Sequence, residues 1–221
     1  MTHAPGHPSD RALDALLAAY ASGSLSPPLH VLVAGHLALS PQSRAFVRHL
    51  EAANAAALEE TTPEPISDRE GKLEAIFASA DHEPVAPEPG PDDVLPAALV
   101  HYLGTRLDGI RWRTLLPGIR EYKAERTARG EAVLYWVRRG RSMPSHTHEG
   151  TEYTLVLRGG FTDVTGHYRR GDIAIADQEI DHRPRSDRDE DCICYTVSDA
   201  PLRLTGPVGR LLERLRFGRP G

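Results

Sequence analysis

Apolar residues at Leu13, Leu16, Leu17 and Tyr20 fall on one face of a helix, and the run Ala21-Ser-Gly-Ser-Leu-Ser-Pro-Pro then breaks the period. Ser9 and Asp10 stand ahead of this face as N-cap candidates. The same pattern predicts a second helix over residues 28–39, a third over 41–57 and a short fourth over 69–79, with Leu73, Ile76 and Phe77 as the buried side of the last. Farther along, the period shortens. Short β-type runs at 132–137, 152–157, 161–165, 172–176 and 191–197 alternate with glycine-rich or charged turns such as Arg-Gly-Gly and Arg-Arg-Gly-Asp. Helices followed by many short strands predict an α+β chain of more than one domain, a small helical bundle followed by an antiparallel sandwich or barrel. Residues 208–217 read as a terminal amphipathic helix, with Val208, Leu211, Leu212 and Leu215 between basic residues.

Residues 81–96 separate the two patterns. Their prolines and acids cannot continue a helix, which predicts an extended, solvated linker between residues 1–80 and 97–221. A length of 221 residues suffices for two modest cores. The formal charge of −5 comes from acids and bases that are spread rather than blocked, so direct nucleic-acid binding is not expected. No apolar run reaches membrane-spanning length, and the N-terminus lacks the basic and apolar regions of a signal peptide, which predicts a cytoplasmic protein with no membrane partner. Cys192 and Cys194 lie two apart on one strand, poor geometry for a disulfide, and are expected to be small apolar barrel residues.

Candidate chemistry concentrates in His146-Thr-His148-Glu-Gly-Thr-Glu152 and, thirty residues on, His182. Two histidines two apart on an extended strand leave the same face. Glu152 opens the next β-run after a turn and can return to the same interior. Three imidazoles and one carboxylate form a donor set for zinc, manganese, iron, nickel or copper. His101 and His167, isolated in sequence, are expected to be ordinary residues.

The spacing Gly140-x5-His146-x-His148-x3-Glu152-x6-Gly159 resembles the first motif of the cupin superfamily. Tyr168-Arg-Arg-Gly171-Asp172 followed by His182 is similar to the second, with Asp177-Gln-Glu in place of the usual Pro-x-Gly. The resemblance implies a cupin, jelly-roll barrel for the C-terminal half and one divalent metal, zinc first, on His146, His148, Glu152 and His182. Trp112-Arg-x-Leu-x-Pro-Gly-Ile, Leu155-Val-Leu-Arg-Gly-Gly-Phe-Thr-Asp and Pro201-Leu-Arg-Leu-Thr-Gly-Pro-Val-Gly-Arg-Leu-Leu resemble the cupin half of the ChrR-type anti-sigma factors. Leu16-Leu-Ala-Ala-Tyr-Ala-Ser-Gly-Ser-Leu and Leu32-Val-Ala-Gly-His-Leu-Ala-Leu are similar to that family's helical, anti-sigma half. This resemblance implies that the helices bind an extracytoplasmic-function sigma factor while the cupin half senses an oxidative signal. Leu25, Leu29, Leu32 and Val33 are then the expected partner-covered surface, and a second copy of the chain, as a homodimer, is a further candidate partner.

One departure stands out. The family's helical half carries a His-x3-Cys-x2-Cys zinc motif, with a fourth ligand near the N-terminus, and the matching residues here are His36, Ser40 and Ser43. A serine hydroxyl stays protonated at neutral pH and binds zinc poorly, so no zinc is expected in this half, even with His7, His30 and His49 as potential supplements. His36 then reads as an ordinary helix residue, and Ser40 before Pro41 as the N-cap of the next helix. Two other functions fit the donor set: a cupin dioxygenase or isomerase, and a cupin sensor that no longer inhibits a sigma factor.

Overall fold

The computed structural model describes residues 8–79, 90–127, 130–200 and 202–205. Five α-helices come first: α1 (Pro8–Ala21), α2 (Pro27–Leu39), α3 (Pro41–Glu59), α4 (Arg69–Ala78) and α5 (Ala97–Leu103). The strands follow as β1 (Arg113–Leu116), β2 (Ile119–Thr127), β3 (Gly130–Val137), β4 (His146–His148), β5 (Glu152–Arg158), β6 (Gly160–Thr162), β7 (His167–Arg169), β8 (Ile173–Ala176), β9 (Arg185–Ser186), β10 (Cys192–Ser198) and β11 (Leu202–Leu204).

One six-stranded sheet runs in the order β1-β2-β3-β10-β5-β8, and the opposing wall is built from the short sheets β11-β4 and β7-β6-β9. The paired strands are antiparallel throughout, giving the jelly-roll barrel. All seven residues of β10 are buried because both faces of this central strand are covered. Cys192 and Cys194 join Val137, Val156, Phe161 and Ala174 inside the barrel, whereas Ile193, Tyr195 and Val197 face an outer layer of helices. The same parity sends Leu155 and Leu157 of β5 outward to the helices and Val156 inward.

That outer layer is α2. Its sequence is apolar nearly all round, as befits a helix covered on most sides, and Leu32 and Val33 are completely buried. A Cβ on Gly35 would stand 3.0 Å from Leu155 Cδ2, so the missing side chain lets the helix backbone approach the sheet. Leu16 and Leu17 of α1, Val47 of α3 and Leu99 and Val100 of α5 complete one apolar cluster with Leu134, Leu155, Ile173 and Tyr195 of the sheet. The expectation that Leu32 and Val33 await a partner is therefore corrected: the barrel covers them, because glycine and small residues on α2 let it seat directly on the sheet.

A second correction concerns α4. Asp68 caps it, accepting from Gly71 N at 3.2 Å, but none of its residues is buried. Ile76 and Phe77, expected on its inner side, are 64% and 77% exposed. The proline-rich stretch is also less solvated than its composition suggests where it enters the barrel. Asp92 Oδ1 accepts from the N–H groups of Val94 and Leu95, Asp92 Oδ2 accepts from that of Leu107, and Leu95 is buried. Residues 80–89 and the amphipathic run at 208–217 lie outside the described residues. Among the described residues, no helix is long and apolar enough to cross a membrane.

Candidate metal centre

The local sequence explains how the donors meet. β4 presents His146 and His148 with the burial pattern in-out-in expected of residues two apart on a strand. His182 pairs with His146 through a two-way backbone bridge, His146 N to His182 O at 3.1 Å and His182 N to His146 O at 3.0 Å. Glu152 starts β5 on the same parity as Thr154 and Val156 and so points inside. One ligand atom from each of His146, His148, Glu152 and His182 lies within 4.8 Å of all the others.

Hydrogen bonding fixes which nitrogens face the centre. His146 Nδ1 lies 2.8 Å from the Pro144 carbonyl, which can only accept, so Nδ1 carries the proton and Nε2 is bare. His182 Nδ1 donates to Asp163 Oδ2 at 2.8 Å, which turns its Nε2 toward the centre as well. The two Nε2 atoms are 2.9 Å apart, and His148 Nε2 is 3.1 Å from that of His182. Facing lone pairs repel one another unless a positive charge stands among them. His148 Nδ1 is the one buried side-chain nitrogen or oxygen without a hydrogen-bond partner among the described residues.

The titration behaviour has the same origin. Burial lowers His146 and His148 to about 4, so both are neutral near pH 7 and their lone pairs are free. Burial raises the Glu152 carboxyl to about 7, a cost that a cation would remove by pairing with the carboxylate. Burial also pushes Asp163 up, but hydrogen bonds from His182 and Thr165 outweigh it and hold the carboxyl below its ordinary value. Two imidazoles kept neutral by burial, a third oriented by Asp163 and a buried carboxylate fit a divalent cation.

Asp163 is the residue that sequence reading missed. It sits in the β6–β7 turn, where its Oδ1 accepts from Thr165 N, Thr165 Oγ1 and Gly166 N, and its other oxygen reaches His182. The available signal, Asp-Val-Thr-Gly, reads simply as a turn. The centre opens on a cavity of about 60 Å³ bounded by Tyr135, Met143, Phe161, Cys192 and Cys194. The two thiols are free and buried with sulfurs 3.4 Å apart, and their mutual hydrogen bond and burial raise Cys194 well above the ordinary thiol value. They are barrel-interior residues, as expected from their spacing.

The helical motif behaves differently from its expected role. His36 is not an ordinary helix residue: it is buried and bonded to both Ser43 and the barrel. Ser40 does cap α3, its Oγ accepting from Ser43 N at 3.4 Å. His30 stacks on Tyr20 and His49 donates to the Ala45 carbonyl, so neither turns toward His36, while His7 lies outside the described residues.

A helical layer seated on a jelly-roll barrel whose interior gathers three imidazoles and a carboxylate defines the class, a cupin with an appended helical half. The family model described as the ChrR cupin-like domain matches residues 102–201. The anti-sigma-E factor ChrR of Cereibacter sphaeroides is 43% identical over 204 residues, spanning 90% of this chain and 94% of the relative. A crystal structure of Rhodobacter sphaeroides SigE in complex with the anti-sigma ChrR aligns with a TM-score of 0.70 and 40% identity, covering 84% of this chain and 96% of that one. This chain belongs to the ChrR family of cupin anti-sigma factors.

Proposed function

We propose that the chain is a cytoplasmic regulator of transcription that binds an extracytoplasmic-function sigma factor through its helical half, residues 1–80, joined by residues 81–96 to a cupin half, residues 97–221, that holds one divalent metal. The observation that carries this reading is the uncovered apolar surface of the helical half. Leu58 at the end of α3, Ile66 in the following loop and Ile76 and Phe77 on α4 are all more than 60% exposed. Large apolar side chains left uncovered along α3, α4 and the loop between them are the residues we assign to the partner-covered surface. The relative whose complex with SigE has been solved spans nearly the whole of this fold.

In the cupin half, His146, His148, Glu152 and His182 would hold the ion, with zinc as the metal best matched to a three-imidazole, one-carboxylate set. Bound there, the cation would neutralise Glu152 and tie β4, β5 and the His182 loop together. Oxidative signals would reach it through the adjoining cavity and alter the grip of the helices. The chain's own groups position donors and present an apolar surface, which suits a binding protein rather than a catalyst. Transcription from a promoter dependent on an extracytoplasmic-function sigma factor of the same organism, reconstituted with RNA polymerase, is expected to fall when the full-length chain is added. Unchanged transcription together with no sigma complex in co-purification would refute the reading.

A further inference from the structure

The helical motif that has lost its thiols has acquired a different set of bonds. His36 Nδ1 lies 2.6 Å from the Gly171 carbonyl, 135 residues away in the chain, and since a carbonyl only accepts, Nδ1 carries the proton and donates. The bare Nε2 then accepts from the Ser43 hydroxyl at 2.8 Å, and Ser43 Oγ accepts from the Ser40 hydroxyl at 3.0 Å. Every hydrogen in this chain of bonds has one direction, and each side chain in it is satisfied. Steric fit brackets the contact on both sides. Gly35 lets α2 approach Leu155, and Gly171, at φ +94°, is close enough to α2 that a Cβ would stand 3.2 Å from Leu39 Cβ.

We propose that Ser40, Ser43 and His36 form a metal-free latch that fixes the α2–α3 corner to the turn between β7 and β8 of the barrel. Hydroxyls do here what a metal would do for the same imidazole: they satisfy Nε2 and hold the ring so that Nδ1 points at the barrel. The latch also places the helices in mechanical series with the donor cluster. Strand β7 separates the Gly171 turn from the turn that holds Asp163, and Asp163 grips His182. Gly171 N in turn donates to Val156 O of β5, the strand that starts with Glu152. A shift of either strand at the cluster moves the carbonyl that His36 holds.

The test is amide hydrogen exchange on the full-length protein, wild type beside Ser43→Ala and His36→Leu. Both variants are expected to speed exchange about tenfold in α2 and also in the peptide spanning 168–176, with β2 and β3 unchanged. Faster exchange confined to α2 and α3, or none, would overturn the latch and leave a local helix contact. Should either variant fail to fold, histidine-selective ¹⁵N spectra of the wild type decide the point. A slowly exchanging His36 Nδ1–H, with Nε2 unmoved by excess zinc, is the expected signature. An Nε2–H tautomer, or an Nε2 that shifts on adding zinc, would overturn it.

Discussion

Asp163 touches no other residue's lone pair at the centre, yet it decides which nitrogen of His182 points there. Asp163→Asn removes the charge that favours the Nδ1–H tautomer while keeping the size of the side chain. Metal affinity, measured by chelator competition, is expected to fall about 10- to 100-fold with the fold intact. At the same scale the metal-free protein should show an opposed pH response. His146 and His148 are lowered to about 4, so between there and their ordinary value the unfolded chain takes up protons that the folded chain refuses, and stability climbs with pH. Glu152, raised to about 7, acts in the other direction, because the folded chain keeps a proton that the unfolded chain releases. Two imidazoles against one carboxyl predict that the urea midpoint of chelated protein rises with pH from about 4.5 to about 6.5 and levels off near pH 7. A midpoint that falls steadily from pH 4.5 to 6.5 would contradict these environments. The donors themselves were legible, since spacing of two on a strand and a carboxylate after a turn are sequence properties. Their orienting partner was not, because a carboxylate in a turn looks the same whether it serves the turn alone or also a histidine nineteen residues away.

Among the elements, α2 and α4 reverse what their patterns suggest. The α4 pattern promises a buried side at Ile76 and Phe77, and the α2 pattern offers Leu32 and Val33 to a partner, but amphipathic spacing names an apolar face without naming what covers it. Leu32→Ala should cost about 2–5 kcal/mol in urea unfolding, because it empties space between helix and sheet. Phe77→Ser should leave stability within about 0.5 kcal/mol, as expected for an exposed position, while weakening the sigma complex at least about tenfold. Equal effects of the two substitutions on stability would contradict this assignment of covered and uncovered faces. The helix ends and the apolar strands β3, β5, β8 and β10 were close to their predicted places, since both faces of these strands are buried and their runs are nearly continuous. Strand β2 was not read, because Ile-Arg-Glu-Tyr-Lys-Ala-Glu-Arg-Thr holds charges on positions that the sheet exposes or pairs. The shortest strands, β7, β9 and β11, are two or three residues long and carry too little pattern to register.

For the molecule as a whole, helices and barrel share one apolar cluster that extends from Leu16 and Val33 to Leu155 and Tyr195. A signal that alters the barrel therefore meets the helices across packed side chains and the His36 contact, without needing the connecting residues 81–96 to transmit it. In the proposed regulator this shared cluster is the route by which the donor cluster would bear on the helices. Native mass spectrometry of the full-length chain co-expressed with an extracytoplasmic-function sigma factor from the same organism tests this account most directly. The predicted species is a complex of the chain with the sigma factor that carries a single divalent metal, which His146→Ala removes. A chain found without the sigma factor, or a complex that retains a metal after His146→Ala, would contradict it.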